Sequence, residues 1–171
     1  MNMRMTLVAT ALLGLAATTQ LSAQTCSTQP SCPVNNTASV TVPIVMQLTL
    51  SSTTTALTVP TAANYDATAV PDNGPTATIK ANNGWTLKIA AQAATWTGTG
   101  GANTSKAAAD LAWSTAANGT FAGLNTTGAT VVTSGTGSSA SQALFYQTSW
   151  HSATDTPGTY SLVVVYTLSV P

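Results

Sequence analysis

The chain of 171 residues carries four basic and four acidic residues, 5% charged against 44% hydrophobic, with a net charge of zero. So few charges exclude the basic footprint of a nucleic-acid or acidic-lipid binder. The hydrophobic share excludes an intrinsically disordered chain, which needs low hydrophobicity as well as unusual charge.

Residues 1–23 read as a cleaved secretory signal peptide. Met1 to Arg4 forms a short basic start, Thr6 to Ala17 is apolar, and the polar end Leu21-Ser22-Ala23 makes Ala23 the expected last residue removed. An apolar run of 12 residues falls short of the roughly 20 needed to span a bilayer. Gln24 and Thr25 separate Ala23 from Cys26, so no lipid anchor is expected, nor membrane insertion after cleavage. The expected location is secreted: extracellular or cell-surface, with the periplasm included. About 148 residues then remain, enough for one domain with its own core.

Residues 24–37 read as an irregular N-terminal arm containing Pro30, Pro33 and both cysteines. In an oxidising compartment Cys26 and Cys32 are expected to form one local disulfide. A domain then runs over residues 38–171. Val40, Val42, Ile44, Met46, Leu48 and Leu50 alternate with mostly polar residues and predict a long strand, which Pro43 places at a sheet edge or makes switch sheets there. A short strand is expected at Leu57 to Val59, then a loop-rich stretch over 60–75 with Asp72-Asn73-Gly74 as a turn.

Thr76 to Lys80 and Trp85 to Ala90 predict a hairpin around Asn82-Asn83-Gly84. Gly98 to Gly101 predicts a turn, and Ala107 to Trp113 fits either one helical turn or a strand. Shorter strands are expected near Thr120 to Leu124 and Ala129 to Thr133, with a Gly/Ser-rich loop over 134–141. Ala143 to Trp150 and Thr159 to Val170 predict a last hairpin with Thr156-Pro157-Gly158 as its turn. Val163 and Val165 make both faces of the final strand apolar, which predicts an interior strand. Short strands at this spacing describe an all-β fold, a single antiparallel β-sandwich of Ig-like, Greek-key type.

Little in the sequence points to catalysis. His151 is the one histidine, no G-x-S-x-G elbow accompanies it, and the four aspartates look isolated and outside apolar settings. No catalytic residue, metal or cofactor is expected. Trp85, Trp96, Trp113, Trp150 and Tyr160 either fill the core or stack on sugar rings; the alternation puts Trp85 and Tyr160 in the core. Trp96, between Thr95 and Thr97 near a glycine loop, is the best candidate for an exposed ring.

Gly84-Trp85-Thr86-Leu87 in the middle and Tyr160, Thr167, Leu168 and Pro171 at the end together resemble the WxL domain, a bacterial cell-surface module. Tyr166 stands where that family has its second tryptophan. The resemblance implies non-covalent attachment to peptidoglycan, with envelope polysaccharide or other surface proteins as partners. The motif residues are Trp85, Leu87, Tyr160, Tyr166 and Leu168. The expected function is therefore that of a secreted, non-enzymatic surface protein held in the cell envelope. Two alternatives stand beside it. One is a self-assembling fibre or pilin-like subunit, a homopolymer that exchanges strand 40–50. The other is a carbohydrate-binding module.

Overall fold

The computed structural model describes Ser31 and residues 33–171. The signal peptide and both cysteines of the expected Cys26–Cys32 bridge lie outside the described residues. Two compact units divide the chain at Thr41/Val42. Within the first, residues 33–41 carry no strand or helix. Among the described residues the second holds the regular structure and is all-β, with antiparallel ladders throughout and a single turn of 3-10 helix at Ala108–Asp110.

Ten strands make it up: β1 Met46–Leu50, β2 Val70–Ala81, β3 Trp85–Ala91, β4 Thr97–Thr99, β5 Leu111–Ser114, β6 Ala122–Gly123, β7 Ala129–Ser134, β8 Ser138–Thr148, β9 Thr159–Ser161 and β10 Val164–Ser169. They form a five-stranded sheet in the order β1-β2-β8-β5-β6, a three-stranded sheet β10-β3-β7, and a small β4-β9 ladder. Period-two alternation explains what each contributes. Trp85, Leu87 and Ile89 turn one face of β3 inward, and Ala77 and Ile79 of β2, Leu144 and Tyr146 of β8 and Leu111 of β5 meet them in one buried cluster. Each fully buried large side chain contributes about 1.5–3 kcal/mol. A core of this size accounts for folding in a chain so poor in charge.

The topology corrects several local readings. β2 and β3 flank Asn82-Asn83-Gly84 but do not pair; β2 bonds to β1 and β8, and β3 to β10 and β7. The segment is a crossing between sheets. Asn82 turns its side chain back to the approach to β1, accepting from the Val45 N–H at 2.8 Å and donating to the Pro43 carbonyl at 2.8 Å. Likewise β8 and β10 are not a hairpin, since β8 lies between β2 and β5. The final strand is not interior either: β10 is the edge of its sheet, and Val163 and Val165, which suggested burial on both faces, are exposed.

The predicted strand from Val40 is shorter at its start. Met46 already pairs with Ala81, the last residue of β2, so residues before Met46 have outrun their partner, and Val42, Ile44 and Val45 are exposed. No strand forms at Leu57 to Val59. Asp72-Asn73-Gly74, expected as a turn, belongs to β2, where Asp72 pairs with Tyr146 and the register slips between Asn73 and Thr76. Pro71 and Pro75 are tolerated there because β1 covers β2 only over Ala77–Ala81, which leaves the proline half an edge. Gly74 suits the bulge because a Cβ on it would sit 3.0 Å from the Leu144 carbonyl oxygen. The Gly/Ser-rich loop contracts to residues 135–137, because β8 starts at Ser138.

Candidate functional site

Two edges, β1 of the larger sheet and β10 of the smaller, lie near each other on one side of the second unit. Between the segment 50–60 and the stretch 158–166 runs a groove of about 620 Å³. Its wall is built by β10. The Gln92 N–H donates to the Val163 carbonyl at 2.9 Å, and Val164 stands opposite Ala91. In an antiparallel ladder bonding alternates, so Val163, Val165 and Thr167 bond toward β3, and the N–H and C=O of Val164, Tyr166 and Leu168 face the free edge. The facing segment is pinned from below. The Asp72 carboxylate accepts from the Thr58 N–H at 3.0 Å and from its hydroxyl at 2.7 Å. Aromatic rings line the groove between these walls: Tyr146, Trp150, Tyr160 and Tyr166.

Those rings are held by defined contacts. Trp150 meets Tyr160 edge-on at 5.4 Å between centroids. Tyr160 donates to the Thr156 carbonyl at 2.6 Å and accepts from the Asn103 N–H at 3.0 Å. The Tyr146 and Tyr166 hydroxyls are hydrogen-bonded to each other. Burial pushes both phenols up, and for Tyr166 the neighbouring Tyr146 adds to the effect.

Of the WxL-type residues, Tyr160 and Tyr166 line the groove, while Trp85, Leu87 and Leu168 belong to the framework. Trp85 is 1% exposed and Leu87 is fully buried. The Trp85 indole N–H donates to the Ser138 hydroxyl at 3.1 Å. Leu168 pairs directly with Leu87, and Tyr166 with Ile89, so the middle and terminal motifs meet as neighbouring strands. Trp96, expected as an exposed ring, is buried at 3% exposure. Its indole N–H donates to the Ala107 carbonyl at 2.9 Å, and the Trp96 backbone N–H bonds the Lys106 carbonyl. The loop-like sequence around it therefore hides a packed ring.

A second cluster lies beneath the groove, in contact with Trp150. Lys106 is 2% exposed, with its Nζ 2.7 Å from Asp155 Oδ2, 2.7 Å from the Ser149 carbonyl and 3.3 Å from Asp110 Oδ2. The Trp150 ring covers the ammonium at 4.5 Å. Asp155 is buried as well, which corrects the reading of every aspartate as isolated. The His151 N–H donates to the same Asp155 Oδ2 at 2.8 Å, while its imidazole lies 3.5 Å from Asp110 Oδ1 and 3.7 Å from Asp66 Oδ1. The Ser152 hydroxyl and N–H hold the Asp66 carboxyl below the usual carboxylate range. Among the described residues no group of three His, Cys, Asp or Glu is placed to hold a metal ion. No helix among them is long and apolar enough to cross a membrane.

Sequence reasoning missed Tyr146, Lys106 and Asp155. The alternation of Ala143 to Trp150 marked the strand carrying Tyr146 without telling which sheet it would join. For Lys106 and Asp155 the one available signal was their rarity, as two of eight charged residues in the chain. Compared with protein-family models, with curated proteins and with solved structures, the chain matches none of them.

Proposed function

We propose that the protein is a secreted, non-enzymatic bacterial surface protein, a β-sandwich of Ig-like type held in the cell envelope by non-covalent contacts of WxL kind. The observation that supports it most is the groove between segment 50–60 and β10: a cleft of mixed apolar and hydroxyl-bearing side chains with aromatic rings and a free strand edge, suited to gripping an extended polymer. The in-register meeting of Leu87 with Leu168 supports the resemblance and gives the motif a framework role. Binding is then carried by the groove rings, on which the faces of envelope sugars stack. This also absorbs the carbohydrate-binding reading, with the glycan of the wall as ligand.

Co-sedimentation of the mature protein with isolated cell-wall sacculi tests it, with Trp150→Phe and Val59→Lys as variants. Val59 lines the groove and is exposed, so a lysine there leaves the fold intact. Pelleting of the wild type and loss in folded Val59→Lys supports the reading. A wild type that stays in the supernatant sinks it.

The free β10 edge and the exposed apolar residues 42–45 favour a second reading, in which a neighbouring copy adds its N-terminal strand and a fibre grows. That reading expects concentration-dependent ladders stable in SDS, absent after deletion of residues 24–45, whether or not sacculi are present.

A further inference from the structure

Lys106 and Asp155 are 49 residues apart in sequence and in direct contact, with side chains 0% and 1% exposed. Burying an amine and a carboxyl is costly unless they are paired, and these two are paired to the exclusion of water. The surroundings go further than an ion pair requires. A second carboxylate, Asp110, touches the same Nζ at 3.3 Å. The carboxyl oxygen Oδ2 of Asp155 also receives the His151 backbone N–H at 2.8 Å. Asp110 in turn reaches the half-exposed His151 imidazole through its other oxygen, at 3.5 Å. A nucleophile and an electrophile, both buried, therefore stand together with a partly exposed group able to carry protons and a fixed donor to the carbonyl oxygen.

The geometry points to an intramolecular amide bond between Lys106 Nζ and Asp155 Cγ, formed by the folded protein itself. Asp110 takes a proton from the ammonium, and the amine attacks Cγ. The Nζ–Cγ bond forms as the bond from Cγ to Oδ1 breaks. Asp110 hands this proton, and then a second one taken from the attached nitrogen, to the leaving oxygen, so that one water is released for each bond made. The ammonium begins with three hydrogens and the amide keeps one; the other two leave with Oδ1, and no oxidant or cofactor takes part. The His151 N–H stabilises negative charge on Oδ2 during attack, as a fixed donor does at an oxyanion. Holding the two groups in contact replaces the high concentration that such a condensation otherwise needs. Asp110 acts as general base and then general acid.

Tryptic mass spectrometry of the denatured mature protein tests this, because the cuts C-terminal of the signal peptide fall after Lys80, Lys88 and Lys106. A linked Lys106 resists trypsin, so residues 89–171 are expected as one fragment, lighter than its sequence by one water. Lys106→Arg restores cleavage at 106 and the full mass. Asp110→Asn, which keeps the shape of the site, is expected to leave the bond unformed and residues 89–106 and 107–171 as separate fragments. Wild-type protein that yields those two fragments at unaltered mass overturns the proposal. An Asp110→Asn protein that still loses water overturns the role given to Asp110. The wild-type mass decides the proposal without any variant, circular dichroism confirms that Asp110→Asn is folded before its fragments are read, and the assay is independent of what the groove binds.

Discussion

Tyr146 on β8 and Tyr166 on β10 meet hydroxyl to hydroxyl, so each sheet is tied to the other by a phenol. Both phenols are pushed up by burial. In the unfolded chain they ionise near the ordinary value of about 10, whereas in the fold they keep their protons to higher pH. Their contribution is therefore full below pH about 10 and is lost as pH rises through the folded values.

Urea melts at increasing pH are expected to hold a constant midpoint to about pH 9 and to fall steadily above about 10. Tyr166→Phe should cost about 1 kcal/mol at neutral pH through the lost hydrogen bond. It should also flatten the alkaline decline, because one of the two perturbed phenols is gone. An equally steep decline in Tyr166→Phe would place the pH sensitivity elsewhere.

Trp85→Ala removes one of the three tryptophans of the core and is expected to destabilise by about 3–5 kcal/mol. Denaturant unfolding followed by circular dichroism measures it. A much smaller loss would mean that Trp85 spends its time outside the core.

Asn82→Ala breaks both side-chain bonds to the approach to β1, and a loss of about 1–2 kcal/mol is expected. Hydrogen exchange should quicken in Met46–Leu50 before it does in β3. Uniform quickening across both sheets would show that Asn82 does not anchor β1.

Gly74→Val places branched carbon against the Leu144 carbonyl and the Tyr146 ring, whose nearest atom is 3.1 Å from the first carbon added. About 1–3 kcal/mol of destabilisation is expected from thermal melts, together with a shift in near-ultraviolet dichroism from Tyr146. Neutrality would mean that the bulge yields freely.

The all-β class and the burial of Trp85, Leu87 and Ile89 were legible because alternation at period two reports directly which face a strand hides. Pairing was not. Asn82-Asn83-Gly84 and Thr156-Pro157-Gly158 have the chemistry of tight turns, but a turn does not state whether the next strand returns to the same sheet. Asp72-Asn73-Gly74 misled for a related reason, because a bulge and a turn ask for the same residues. The lysine cluster was invisible because contact between Lys106 and Asp155 depends on two loops that only the finished topology brings together.

The arrangement of β3 has a consequence for when the chain can fold. Its neighbours, β7 and β10, both follow it, and β10 ends at Ser169, two residues before the last. Trp85 therefore emerges from the ribosome long before the strand that completes its sheet, and it gains no stable partner from local contacts on the way. Such distant pairings fold slowly, since loop closure precedes the contacts that reward it.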